Sequence, residues 1–408
     1  MSKWEEKRLE DIIDVNPPVK LKKGESYPFI DIDKVSPTRC SVTNKEVKVY
    51  DGQSSSKFCD GDTVFSRITP CLENRKIAKV AIEGDAAFGS TEFYVFRAKK
   101  KKADARFTYY LASSDAVVLP AINSMTGASG RQRADKRFIQ RLKLNLPDLP
   151  TQKHIADILS TYDDLIEVNN RRIELLEQTA QELYKEWFAR FRFPGYEDVK
   201  FENSLPEGWE RNKIQKYYNT CSGGTPSRSN PEYFESGVYP WVKTGEIKDC
   251  VIIDTEEYIT QEAVNNSSAK VLPAKSVAMA MYGVNIGLLA YFDSEMTCNQ
   301  ACCVFSDKRD FSSKHYLYYY LKSIREYLLL ISFGAAQQNL SQDLIKKIKI
   351  TMPSDDVVQA FEKQVDDIYG NIRMLLLKNK NLAEQRDRHR HHRGCNLSNR
   401  GYPGERYR

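Results

Sequence analysis

The fold class predicted for this 408-residue chain is α+β, with two tandem strand-rich α/β globules and a long helix after each. Three observations predict it: a self-similarity at an offset of about 205 residues, short apolar runs punctuated by turn residues, and two long amphipathic stretches. The boundaries expected are a first globule over 1–150, a long helix over 151–193, a second globule over 194–353, a second long helix over 354–387 and a basic tail over 388–408.

The repeat comes first because it sets the domain count. Trp4 and Glu5, then Arg8 and Leu9, recur as Trp209 and Glu210, then Lys213 and Ile214. Val95 and Phe96 match Val304 and Phe305, and Tyr109, Tyr110 and Leu111 match Tyr319, Tyr320 and Leu321. Gly127, Phe138, Ile139, Leu146 and Pro147 match Gly334, Leu344, Ile345, Met352 and Pro353; Asp163 to Leu165 match Asp366 to Ile368. The order is preserved while the offset drifts between about 203 and 210, as insertions in loops produce, so tandem duplication accounts for the set.

Within each copy, strands alternate with turns such as Asp60-Gly61-Asp62 and Ser222-Gly223-Gly224-Thr225-Pro226. One short helix is expected over Phe107–Leu119 and a counterpart over Lys314–Ile331. From Thr151 apolar residues then recur every three or four positions: Ile155, Ile158, Leu159, Tyr162, Leu165, Ile166, Ile173, Leu176, Ala180, Leu183, Trp187 and Phe191. That is one helix of roughly 60 Å, stopped by Pro194 and Gly195. Val357, Val358, Phe361, Val365, Ile368, Ile372, Leu375, Leu376 and Leu382 repeat the pattern. Neither stripe is stable in water alone, so the two helices are expected to cover each other as a coiled coil, with Asn169 and Asn379 on or beside the seam.

Composition narrows the class of protein. A hydrophobic fraction of 41%, with 23 Tyr and 18 Phe, supplies real cores and excludes general disorder. The net charge of +6 is unevenly spread: from Arg386 onward seven Arg face Asp387 and Glu405, leaving about +1 for the other 385 residues. An anionic partner must therefore be met by local basic patches. A charged N-terminus without an apolar run, no stretch of membrane-spanning length and nine scattered Cys fit a soluble cytoplasmic protein with reduced thiols.

Signals for catalysis are weak. Asn16-Pro17-Pro18-Val19 resembles the Asn-Pro-Pro-aromatic loop of adenine methyltransferases, but Val19 cannot stack on a flipped base, and no methyl-donor unit precedes it; a bend ending a strand is the simpler reading. Cys298, Cys302 and Cys303 lack a second ligand pair and read as core thiols, so no metal site is expected. The Gly-rich run Ser222–Pro226 lacks a phosphate-loop ending and reads as a turn, although glycine would allow a close backbone approach to DNA.

What remains is a set of basic and amide-rich loops. In the first copy these hold Arg67, Arg75 and Lys76, then Arg131, Gln132, Arg133, Lys136 and Arg137. The second copy offers Lys243, Thr244, Tyr282 and Asn285, then Gln337, Gln338 and Asn339. Arg, Gln and Asn carry the forked donors and acceptors that match guanine and adenine in the major groove, so these residues are candidate contacts to double-stranded DNA. They differ between copies where the flanking residues agree, as two readers of two sequences would.

Over nearly the whole chain the sequence resembles the specificity subunit of a type I restriction-modification system. The resemblance is carried by Leu146 to Leu159, by Asp163 to Ile173, by Gln178 to Phe188, by Leu205 to Trp209 and by Ser222 to Pro226. It implies two target-recognition domains, each reading half of a bipartite, asymmetric site, and two antiparallel helices that act as spacer and dock two methyltransferase subunits. The docking candidates are Tyr162, Leu165, Ile166, Asn169, Ile173, Leu176, Leu183, Trp187, Ile368, Ile372, Leu376 and Asn379. It further implies a non-catalytic chain without a cofactor of its own, S-adenosylmethionine belonging to the methyltransferase partners and ATP and Mg to restriction and translocase subunits. The Arg- and His-rich stretch Arg388–Arg408 departs from the Leu-rich ending that the family carries. A self-contained methyltransferase would need the missing methyl-donor fold, whereas a free-standing DNA-binding regulator could use the same domains without partners.

Overall fold

The structure, a computed structural model, describes residues 4–43, 46–128, 130–202, 204–332 and 339–392. Two compact units divide the chain, one comprising the residues up to Val168 with those from Asn379, the other Asn169–Lys378. The duplication read from sequence is visible as one topology used twice.

In the first unit a five-stranded sheet runs in the spatial order Ile13–Val15, Phe93–Ala98, Thr63–Ser66, Ile77–Val80, Ser41–Val42. In the second the order is Tyr218–Ser222, Cys302–Asp307, Val277–Ala280, Leu289–Phe292, Cys250–Ile252. In both, the first strand of the copy pairs antiparallel with the last: Trp4–Arg8 with Lys143–Pro147, and Glu210–Lys213 with Lys349–Met352. That pairing closes each module and delivers the chain to its long helix. Matching backbone hydrogen bonds extend into the loops: Leu9 N–H donates to the Leu142 carbonyl as Ile214 does to that of Ile348, and Lys99 to Ile12 as Lys308 to Tyr217. The central strands are buried on both faces, which is why Thr-Val-Phe-Ser and Val-Ala-Met-Ala read as continuous runs without alternation.

The single short helix expected in each copy is in fact two, Ala105–Ala112 with Asp115–Asn123 and Lys314–Ser323 with Arg325–Ser332. At the first break Ser114 adopts an extended backbone and its hydroxyl donates to the Leu111 carbonyl, a local bond that competes with continued helix.

The first long helix is regular over Leu149–Tyr184 and then widens into a π turn over Lys185–Ala189, before the stop expected at Pro194. The wide turn serves packing: Phe188 meets Tyr316 at 4.7 Å and Phe361 at 4.8 Å, while Trp187 meets Phe361 at 5.8 Å. The second long helix spans Asp355–His392, so it continues into the Arg- and His-rich stretch. Within the second unit Tyr184 and Trp187 meet Phe361, and within the first Tyr162 and Asp163 meet His389 and Arg386.

Buried polar ties fasten these helices to the modules. In the first unit Asp163, 4% exposed, accepts from the Tyr110 hydroxyl and from Arg386, each at 2.6 Å. Gln152 is also buried and bonds the Asp104 amide and the carbonyls of Lys102 and Pro147. The modules cap equivalent helices differently. Asp104 accepts from the amides of Arg106 and Phe107, both at 3.0 Å. Its counterpart Ser313 makes no such bond; Glu362, buried on the second long helix, accepts instead from His315 at 3.3 Å and Tyr316 at 2.8 Å.

A local cap has thus become a tertiary one. Glu362→Ala should cost about 1–3 kcal/mol in urea unfolding, because two helix-end amides lose a buried acceptor, and Glu362→Gln should cost less because it keeps an acceptor oxygen. Nearby, the hydrogen bond from His315 holds the Asp366 carboxyl down to about 2, with Lys275 also in reach at 3.1 Å. Its folded value lies below the unfolded one of about 4, so this stabilisation is present above about pH 4 and is lost as the pH falls through about 2. Thermal melts of Asp366→Asn should accordingly depend less on pH in that window than those of the parent chain.

Candidate nucleic-acid interface

The polar loops singled out in sequence lie, in each module, at one end of the five-stranded sheet. In the first module the loop 67–76 joins the strands Thr63–Ser66 and Ile77–Val80, and the segment 126–133 leads into the helix Lys136–Gln140. The backbone brings the two together: Ile68 bridges Arg133, Ala134 N–H donates to the Arg67 carbonyl at 2.8 Å, and Thr69 N–H donates to that of Gln132 at 3.0 Å. Gly127 turns the second segment with φ of +125°, and a Cβ there would stand 3.3 Å from the Arg131 carbonyl oxygen.

The second module repeats the arrangement with other side chains. Tyr282 bridges Asn339 where Ile68 bridges Arg133, and Leu340 N–H donates to the Met281 carbonyl at 2.9 Å. The loop 281–288 begins with a 3₁₀ turn over Gly283–Asn285, entered through Gly283 at φ of +75°. Asn285 pins this turn by donating both amide hydrogens inward, to the carbonyls of Thr244 at 2.8 Å and Ile247 at 3.1 Å. Val284 between them is fully exposed and Tyr282 is 41% exposed. Gln337 and Gln338 lie outside the described residues.

Among the cations, exposure and engagement separate two groups. Arg131 and Arg137 are exposed, and Gln132 and Lys136 half-buried. Arg67 and Arg133 both pair with Glu92, Arg133 bidentately. Arg75 donates to the Ser113 carbonyl at 3.2 Å and pairs with Asp115, so it ties the loop to a helix start. The second module makes the same tie with polarity reversed: Arg325, at a helix start, donates to the Gly287 carbonyl and pairs with Asp249 at 2.5 Å. Lys76 donates to the Ile32 carbonyl at 3.1 Å. Lys243 lies between Glu256 at 2.9 Å and Glu257 at 3.0 Å, whose hydrogen bonds hold its ammonium above the usual value. Arg75, Lys76 and Asn285 are therefore parts of the loop framework, while Arg131, Arg137, Tyr282, Val284 and Asn339 present their side chains outward or half-exposed.

Three other motifs are accounted for inside the fold. Asn16, at φ of +57°, donates its backbone N–H to the Val95 carbonyl and accepts the Val95 amide on its side chain, closing a strand end. A Cβ at Gly223 would fall 1.9 Å from the Cys298 carbonyl oxygen and one at Gly224 2.3 Å from Ser268, so these glycines allow the chain's own backbones to approach. Cys298, Cys302 and Cys303 are fully buried, and contact with Cys302, then burial, pushes the Cys298 thiol well above its usual value.

On the long helices, Ile173, Trp187 and Ile372 are buried, and Leu176, Leu183, Ile368 and Leu376 pack partly buried against the same core. Tyr162, Ile166, Asn169 and Asn379 are half-buried, the two asparagines falling at the unit boundary. Leu165, Val168 and Leu175, spaced to share one helix face, stay 46–57% exposed, as Met374 and Leu377 do at 49% and 42%. Val168, Leu175, Met374 and Leu377 did not stand out in sequence, because a stripe read by periodicity does not say which of its edges is covered. Asn285→Ala is expected to cost about 1–2 kcal/mol and to accelerate amide exchange across 281–288 while the five-stranded sheet keeps its protection; hydrogen exchange read by mass spectrometry checks both.

Comparison with known proteins agrees with this organisation. A sequence profile of the type I restriction modification DNA specificity domain matches residues 1–178 and 206–368. The specificity subunit of the type I restriction enzyme HindI from Haemophilus influenzae is 27% identical, over 95% of this chain and 98% of its own. The MjaIX specificity subunit from Methanocaldococcus jannaschii is 23% identical over 90% of this chain and 87% of its own. The crystal structure of a type I restriction-modification S subunit from M. genitalium shares the fold at a TM-score of 0.55, with 14% identity and 95% of each chain covered.

Proposed function

The chain belongs to the type I restriction-modification DNA specificity family, and from that premise we propose that it directs partner enzymes to a bipartite, asymmetric DNA site, one half read by each module. The observation that carries the proposal is the contrast between copies. The backbone bonds that hold each loop pair are the same, whereas the side chains on them are not: Arg67, Arg131 and Arg133 in one, Met281, Tyr282 and Asn339 in the other. Frames tied by matching backbone bonds and bearing different side chains suit two half-sites of different sequence.

On this reading the chain supplies address and no chemistry. Adenine methylation, with S-adenosylmethionine, belongs to two methyltransferase subunits seated on the long helices, for which the exposed Leu165, Val168, Leu175, Met374 and Leu377 offer apolar area. ATP and Mg serve restriction and translocase subunits. The two helices act as a ruler that fixes half-site spacing at about one DNA turn.

Co-expression with a type I methyltransferase subunit that assembles with this chain, followed by genome-wide mapping of methylated adenine, should return one bipartite motif. A full methylome from this chain alone would overturn the assignment. Deleting one or two helical turns within 151–191 should shorten the unspecified gap by about one to two base pairs per turn. A gap that does not change removes the ruler.

A further inference from the structure

Among the described residues, Glu92 is the one carboxylate placed between two of the candidate DNA-contacting arginines of the first module. It accepts from Arg133 Nε at 2.9 Å and Nη2 at 2.6 Å, and from Arg67 Nε at 3.2 Å. The backbone holds the three in place, Arg67 N–H donating to the Glu92 carbonyl at 2.9 Å and the Arg67 carbonyl accepting from Ala134. Arg67 also lies 5.4 Å above the ring of Tyr94, whose hydroxyl bonds the Ala134 carbonyl at 2.7 Å. Glu92 is 20% exposed, against 30% for Arg67 and 45% for Arg133, so the acid is recessed and the cations stand in front of it. The hydrogen bond from Arg133 is the main cause that holds its carboxyl below the usual range, and the group stays ionised at neutral pH.

The edges used are informative. An arginine has two edges that donate in pairs, one along Nε and Nη2 and one across the terminal Nη1 and Nη2. Glu92 takes the Nε side of both residues. Among the described residues nothing takes the terminal edge of Arg67, and Arg133 keeps Nη1 and the second hydrogen of Nη2, so both retain the Nη1–Nη2 fork for a ligand. The trio carries a net charge of +1 where two arginines alone would carry +2. A guanine edge offers two neutral acceptors, O6 and N7, and is matched by a fixed fork; a phosphate rewards charge and tolerates any orientation. A carboxylate behind the fork lowers attraction for phosphate more than it lowers the fit to guanine.

We propose that Glu92 is a specificity-determining residue of the first module: it orients Arg67 and Arg133 toward guanine in one half-site and restrains their capture by DNA backbone. Among the described residues the second module has no equivalent. Met281 and Ala301 stand where Arg67 and Glu92 do, joined by the same backbone bond at 2.8 Å. Loss of Glu92 therefore affects one half-site only.

The inference rests on the DNA-reading function proposed above, and the test separates the two. The full chain, assembled with its methyltransferase partners, is compared with Glu92→Gln and Glu92→Asp on a duplex carrying the mapped site and on a scrambled duplex, from 50 to 200 mM salt, alongside methylome mapping. Glu92→Gln should bind the scrambled duplex several-fold tighter, with a salt dependence steeper by about one phosphate contact. Its methylome should become degenerate at G·C pairs of one half-site while the other half stays strict. Glu92→Asp keeps the charge but withdraws the carboxylate from the Nε edges; it should leave scrambled binding unchanged and still relax that half-site, and it remains informative where the glutamine variant does not fold. A parent complex that binds both duplexes equally overturns the DNA-reading function and this inference with it. A discriminating parent whose Glu92 variants keep its salt dependence and its motif, or relax both half-sites alike, overturns the role of Glu92 alone.

Discussion

Burial of two long apolar stripes is the constraint from which the rest of this structure follows. Neither helix can stand in water with Ile155, Leu159, Ile173 and Trp187, or Phe361, Val365 and Ile372, uncovered, and each unit supplies a cover of its own. In the first, Ile155, Ala156 and Leu159 enter the core built on Phe107, Tyr110 and Leu111. In the second, Ala180, Tyr184 and Trp187 join Phe361 and Val365 in a core that includes Tyr316 and Tyr319. The cores of the modules and the stripes of the helices are thus the same cores. A module that unfolds exposes its helix, and a helix that shifts disturbs its module.

Polar groups buried in those seams add direction to what apolar contact leaves loose. Asp163 joins Tyr110 to Arg386, and Glu362 caps a helix belonging to the module it packs against. Such groups bond in one arrangement and are costly in others, so they select register where a greasy stripe could slide.

The polar loops are built under the opposite demand. Their backbones are pinned, through Ile68 with Arg133, Tyr282 with Asn339, and Asn285 with two carbonyls, while the outward side chains vary between modules. Much of the nearby positive charge is already partnered: Arg67 and Arg133 by Glu92, Arg75 by Asp115, Lys243 by Glu256 and Glu257. The low net charge of the body fits this arrangement, in which cations are held in place and their long-range pull on anions is reduced.

The sequence by itself determined the duplication, the long helices and the places where polar loops interrupt the modules, because periodicity and order are properties of the chain and survive loop insertions. It also marked the loop pairs that the fold brings together, 67–76 with 126–133 and 281–288 with Asn339. Only the tertiary structure decided what each polar residue does there. Arg75 and Arg133 are alike in sequence, yet one ties a loop to a helix and the other stands in front of a recessed acid. Gly223 and Gly224 suit a ligand's approach as well as the chain's own, and the carbonyl of Cys298 settles it. The wide turn at Lys185 answers to the packing of Phe188 on Tyr316 and Phe361 as well as to propensity. In each case the deciding partner lies tens of residues or more away along the chain, and a hydrogen bond is set by distance in space.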